Sequence, residues 1–206
     1  MIAILDYGMG NITSARMELE HVGASVELTS DHERVRAAEA VVLPGVGAFP
    51  KAMEAIRRLG LDELMHERRD AGVPILGICL GMQLLFDSST ELGGATGLGM
   101  LPGTVEPLRA RGLKIPQIGW NEVWFRPEKQ LGSGLGPKAA MYHVHSYAAR
   151  PADDSVIAGT ATYGEEFVSA VEQDNVFGVQ FHPEKSSADG LQLLRNFVDV
   201  ATRQPA

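Results

Sequence analysis

In the first half of the chain, short apolar runs alternate with stretches whose apolar residues recur every three or four positions. Ile2 to Leu5 is such a run, ending in Asp6 and followed by Tyr7-Gly8-Met9-Gly10-Asn11. A helical pattern runs from about Ile12 to His21, and Gly23 closes it. Val26 to Leu28 reads as a second strand. Val41-Val42-Leu43 reads as a third, stopped by Pro44-Gly45. Ala52, Ala55, Ile56 and Leu59 have helical spacing, and another helix is predicted from Leu61 to Ala71. Val73 to Ile78 is a further strand, and Leu80 to Phe86 opens a further helix. Strands alternating with helices predict an α/β fold. Its mostly parallel, doubly wound sheet lies between two helical layers.

In such sheets ligands bind beyond the carboxyl ends of the strands. Asp6-Tyr7-Gly8, Pro44-Gly45-Val46-Gly47 and Cys79 all fall at predicted strand ends, so they line one edge of the sheet. The second half reads differently. From about Gly93 to Val171 helix signals are few, and short strands and turns predict an additional antiparallel β region. Within it Met141 to Tyr147 reads as one strand, and Gly132 to Pro137 as a flexible loop. Val176 to Phe181 reads as the last strand and Ala188 to Ala201 as the last helix, with Thr202 to Ala206 fraying. One domain over residues 1–206 accounts for the whole pattern.

Composition narrows the function. The chain has 206 residues and a formal net charge of -8, so it lacks the basic footprint of a nucleic-acid binder. Its single cysteine excludes an internal disulfide and a thiolate metal cluster. No basic leader precedes the first strand and no apolar run has the length of a bilayer span, so a cytoplasmic protein is expected.

That cysteine, Cys79, sits in Gly77-Ile78-Cys79-Leu80-Gly81, straight after an apolar run. A strand ending in a sharp turn into a helix exposes a nucleophile at the apex, with glycines allowing close approach. The helix start beside it favours a thiolate. A buried core cysteine is the competing reading. Phe181-His182-Pro183-Glu184 supplies a base and its orienting carboxylate. In extended chain residues two apart point the same way, and Pro183 holds the segment extended. Pro44 to Gly47 offers free backbone amides for an oxyanion, with the Leu80 N–H as the natural second donor. His143, His145 and His182 do not make a metal set, because a fourth ligand is lacking.

Three segments taken together, Gly77 to Gln83, Pro44 to Gly47 and Phe181 to Ser186, resemble the class I, triad-type glutamine amidotransferases over essentially the whole chain. Asp6 to Asn11, Pro44 to Phe49, Gly119-Trp120-Asn121 and Val144-His145-Ser146-Tyr147 are similar to the glutaminase subunits of imidazole glycerol phosphate synthases. The resemblance implies hydrolysis of L-glutamine without metal or organic cofactor. The ammonia would pass to a (β/α)8-barrel cyclase subunit, in histidine biosynthesis. It implies Cys79 as nucleophile, His182 as general acid and base, and Glu184 as its orienting carboxylate. Val46, Gly47, Leu80, Gln83, Ser146 and Tyr147 would form the oxyanion site and glutamine pocket. Asn11, His145 and Lys185 would lie toward the partner. Gln117 and His143 depart from the family pattern, where a His and an aromatic residue are common. Three readings compete with this one: the glutaminase subunit of another ammonia-using synthase, a non-catalytic amidotransferase-like module, and a cysteine hydrolase on a similar fold.

Overall fold

The computed structural model describes residues 1–10 and 12–203. Asn11 and the last three residues lie outside them. The first half runs β1 (Ile2–Leu5), α1 (Ile12–His21), β2 (Val26–Thr29), α2 (His32–Arg36), β3 (Ala40–Gly45), α3 (Phe49–Arg58), α4 (Leu61–Asp70), β4 (Ile75–Cys79) and α5 (Leu80–Leu84). The second half runs β5 (Phe86–Ser89), β6 (Ala95–Thr96), β7 (Leu101–Pro107), β8 (Gln117–Phe125), β9 (Lys138–His145), β10 (Tyr147–Pro151), β11 (Ile157–Tyr163), β12 (Glu165–Gln173), β13 (Val176–Val179) and α6 (Ser187–Thr202).

The strands form one sheet with the path β2-β1-β3-β4-β13-β12-β10-β7-β5-β6. From β2 to β13 every neighbouring pair is parallel. Beyond β13 the pairing turns mainly antiparallel, and β11, β8 and β9 extend from β12 as a side branch. Strands β1, β3, β4 and β13 are buried on both faces, which is why they read as unbroken apolar runs. Alternate residues feed two cores. Ala3, Leu5, Val41 and Leu43 pack with Val35 of α2 and with Met53, Ile56, Leu64 and Met65 of α3 and α4. Ile2, Ile4, Val42 and Ile78 pack with Ala15 and Leu19 of α1 and with Leu193, Leu194 and Phe197 of α6. This is the expected three-layer arrangement, with helices on both faces.

Several element boundaries differ from the expectation. Strand β3 continues through Pro44 and Gly45 rather than stopping there. Its pairing with β1 ends at Val42, while that with β4 runs on to Gly45 opposite Cys79. The Pro44 carbonyl accepts from the Tyr7 hydroxyl at 2.6 Å. In a strand a residue's N and C=O lie on the same side, so the donor that proline lacks faces the side β1 has vacated. Strand β4 begins at Ile75, not Val73. The helix expected from Leu80 to Phe86 stops at Leu84, because β5 pairs with β6 and β7 and captures Phe86 in the core. The single strand expected over Met141 to Tyr147 is two, broken at Ser146: β9 pairs with β8, and β10 with β7 and β12. The short helix α2, capped by the Asp31 side chain on the Arg34 N–H, went unforeseen.

Candidate active site

Cys79 closes β4 with φ 56° and ψ -111°, a backbone conformation costly for any residue with a Cβ. The strain is held by packing on every side. Gly81, two residues on, lies so close to β3 that a Cβ there would overlap the Leu43 carbonyl. The elbow therefore exists because α5 presses directly on the sheet. Cys79 itself is 6% exposed, and Leu80 follows as the first residue of α5, where N–H groups have no partner within the helix.

His182 follows β13, the parallel neighbour of β4, in which Val179 pairs with Ile78. Its backbone N–H donates to the Tyr142 carbonyl at 2.8 Å, fixing the main chain. Its Nδ1 lies 2.8 Å from Glu184 Oε1. Pro183 to Lys185 forms a 3-10 turn, not the extended segment expected, so it is the turn that folds Glu184 back beneath the imidazole. Ser186 locks that turn: its hydroxyl donates to the His182 carbonyl at 2.6 Å and accepts from the Tyr142 N–H. Among the described residues the imidazole is the one hydrogen-bond partner of the Glu184 carboxylate, whose Oε2 is buried without any. Burial pulls the pKa of His182 down. Hydrogen bonding and charge from Cys79 and Glu184 outweigh it and raise the value to about 10. A cysteine, an imidazole and a carboxylate thus lie in series across two adjacent strand ends.

A pocket of about 220 Å³ opens over Cys79. Val46, Gly47, Leu80, Gln83, Ser146, Tyr147 and His182 all line it, together with His145, Pro116 and Glu91. Val46 and Gly47 continue from Gly45, which pairs with Cys79, so they project just past Cys79. Gly47 has φ +112°, open to glycine and strained for other residues, and Val46 is 43% exposed. Gln83 donates through Nε2 to the Tyr147 carbonyl at 3.2 Å and to Gln180 Oε1 at 2.9 Å.

Gln180 was not singled out from the sequence, and Tyr7 was expected only as part of the Asp6-Tyr7-Gly8 segment at the sheet edge. Tyr7 clamps the end of β3 through the Pro44 carbonyl. Burial, reinforced by the negative charge of Cys79, pushes its phenol pKa far above the usual value, so Tyr7 stays a neutral donor. Gln180 is fully buried between Gln83 and Cys79. Strand β13 stops at Val179 rather than at Phe181, and the position of Gln180 two residues before His182 was the available signal.

The residues expected to face a partner divide. Lys185 is exposed, its Nζ 6.0 Å from the Tyr142 ring centroid and beside the half-exposed Trp120. His145 is not at the outer surface. It is 5% exposed and lines the pocket, with Nδ1 2.8 Å from the Tyr147 carbonyl and Nε2 2.8 Å from the Gln117 carboxamide. Burial lowers its pKa to about 4, so the ring is neutral at pH 7. His143 is fully buried against Phe167 and Phe181, bonded to the Met141 carbonyl and the Ser169 hydroxyl. Gln117 and His143, the two departures from the family pattern, are therefore internal residues. Among the described residues no group of three or more His, Cys, Asp or Glu is placed to hold a metal ion. No helix among them is long and apolar enough to cross a membrane.

Comparison with known proteins points the same way as the geometry. The sequence profile of the family described as Glutamine amidotransferase class-I matches residues 3–201. The chain is 49% identical over 200 residues to the imidazole glycerol phosphate synthase subunit HisH of Bacillus cereus (strain G9842), covering 97% of this chain and 95% of that one. It is 48% identical to the subunit of the same name from Aquifex aeolicus (strain VF5), covering 94% of each. Among solved structures it resembles a glutamine amidotransferase with a TM-score of 0.77 at 20% identity, covering 98% of both chains. It also resembles PurLQS from Thermotoga maritima with a TM-score of 0.71 at 20% identity, covering 97% of both. At that identity the likeness is one of fold.

Proposed function

The chain belongs to the class-I glutamine amidotransferase family, and we propose that Cys79, His182 and Glu184 carry out its hydrolysis of L-glutamine. Its role is that of the glutaminase subunit of imidazole glycerol phosphate synthase, in histidine biosynthesis. The observation that supports the assignment of residues is the Cys79–His182–Glu184 series at the mouth of a pocket that Gln83 also lines.

The Cys79 thiolate attacks the side-chain amide carbon of glutamine, and the carbonyl oxygen becomes an oxyanion. The Leu80 N–H and the backbone of Val46-Gly47 hold it. His182, protonated beside the sulfur, delivers its proton to the departing ammonia, and a thioester remains. The imidazole then takes a proton from water, which attacks the thioester and releases glutamate. Glu184 fixes the ring so that the nitrogen opposite Nδ1 faces the sulfur.

Free ammonia in water takes up a proton and ceases to be a nucleophile, so the product must pass directly to a cyclase partner. That partner is a (β/α)8 barrel docked on the face that carries Lys185, in the cytoplasm. Hydrolysis without the partner wastes glutamine, and the half-exposed Val46 with Gly47 is the part of the oxyanion site free to reorient. Turnover of glutamine should therefore be low for the isolated chain and rise when the barrel binds its nucleotide-derived ligand; equal turnover in both would overturn the coupling. Cys79→Ala should lose glutamine use and keep ammonia-dependent synthesis in the complex. Loss of both would make Cys79 structural.

A further inference from the structure

Gln180 sits between the two groups on which the reaction depends. It is fully buried, directly after β13, with its backbone N–H donating to the Ser169 carbonyl at 2.9 Å. Its Oε1 accepts from Gln83 Nε2 at 2.9 Å, and its Nε2 lies 3.9 Å from Cys79 Sγ, within reach of the large sulfur. Gln83 Nε2 also donates to the Tyr147 carbonyl, so both hydrogens of its amide are used inside the protein. The Gln83 carbonyl is the end left to face the pocket.

At the sulfur the contacts oppose one another. The Val144 carbonyl, 3.7 Å away, can only accept, so it suits a thiol. The Gln180 amide can donate, so it suits a thiolate. We infer that Gln180 is a positioning residue whose one carboxamide holds Gln83 with its carbonyl toward the pocket and supplies a donor to the Cys79 thiolate. An amide turned the other way would face the Gln83 N–H with another N–H and lose both contacts together. The carboxamide thus couples glutamine recognition to the state of the nucleophile. This rests on Cys79 being the nucleophile. The titratable groups around the sulfur are His182 and Glu184 beyond β13, Tyr7 beyond β1, His145 at the end of β9 and Glu91 after β5. Substitution of Gln180 leaves all of them in place.

Two variants separate the two contacts. Gln180→Met removes both, and Gln180→Glu keeps an acceptor for Gln83 while removing the amide donor. Each is read in the full chain with its partner by kcat and KM for glutamine. The pH dependence of Cys79 alkylation by iodoacetamide, with thermal melting to show folding, is the second readout. Gln180→Met should raise KM about tenfold and shift the alkylation profile upward by about one pH unit. Gln180→Glu should leave KM within about threefold, which isolates the Gln83 contact, while loss of the donor is read from Gln180→Met, because the new carboxylate itself shifts the profile. A purely structural role would lower melting temperature without moving the profile. An unshifted profile and wild-type KM in Gln180→Met would overturn the inference. Labelling of wild-type Cys79 by an electrophilic glutamine analogue runs alongside: its absence would overturn the nucleophile assignment beneath, and its presence with an unshifted Gln180→Met would sink this inference alone.

Discussion

His182 Nδ1 meets Glu184 Oε1 at 2.8 Å, and both side chains are almost completely buried. The imidazole has its pKa raised from 6.5 to about 10. A raised pKa means that the folded protein binds a proton the unfolded chain gives up, so this stabilisation is full below about pH 6.5 and gone above about pH 10. Thermal melting of the wild type should therefore fall as pH rises from 7 to 10. Glu184→Gln, which keeps an acceptor but removes the charge, should flatten that fall and lower kcat about 10²-fold or more. An unchanged slope would show that Cys79, and not the carboxylate, holds the proton on His182.

The acid side has a different origin. Burial, with the charges of His145 and His182 adding to it, lowers the His143 pKa to about 3. The unfolded chain then binds a proton that the folded one refuses, and stability falls as pH drops from about 6.5 toward 3. His143 packs edge-on against Phe167 and Phe181, an environment suited to an aromatic ring. His143→Phe should melt less steeply on acidification than the wild type. At neutral pH it loses the contacts with the Ser169 hydroxyl and the Met141 carbonyl, at a cost of about 1–3 kcal/mol. Melting curves at pH 4.5 and 7 compare the two.

Cys79 adopts φ 56°, where a Cβ is unfavourable. Cys79→Ala and Cys79→Gly both remove the sulfur, but only the second removes the Cβ. The glycine variant should be the more stable of the two by about 1 kcal/mol, after allowing for the greater freedom of glycine in the unfolded chain. Urea midpoints measure the difference. An alanine variant as stable as the glycine one would mean that the elbow stores no strain.

Tyr7 holds the end of β3 through the Pro44 carbonyl. Tyr7→Phe keeps the ring in the core and removes the bond, at a cost of about 1–3 kcal/mol. Because Val46 and Gly47 follow directly, kcat should fall more than KM rises. Steady-state kinetics with the partner present tests this, and a change in KM alone would place Tyr7 in substrate binding.

Much of this architecture was legible because strands buried on both faces write themselves as continuous apolar runs, as at Ile2–Leu5 and Val176–Val179. The failures have specific causes. Pro44 reads as a stop, yet here its missing donor faces the side β1 leaves empty. Leu80 to Phe86 has helical spacing, yet pairing of β5 with β7 claims Phe86. Glu184 reaches His182 through a turn, although the spacing of two also suits a strand. The residues expected in the oxyanion site and glutamine pocket line one cavity, since the motifs put them just past strand ends or on the helix that leaves one. The roles of Tyr7 and Gln180 were hidden because each takes its partner from a segment remote in sequence, at Pro44 or at Cys79 and Gln83. Local pattern carries no trace of such pairings.

Strand β13 lies between β4 and β12, joining the parallel half of the sheet to the antiparallel half. Among the described residues it is the last strand in chain order, and it takes a central position. While the chain is still being synthesised, β4 has an unfilled edge, and Cys79 stands there without imidazole, carboxylate or Gln180. Cys79 thus meets His182 only in the step that sets β13 beside β4. On the proposed roles of these residues, closing the sheet and arming the sulfur are one event.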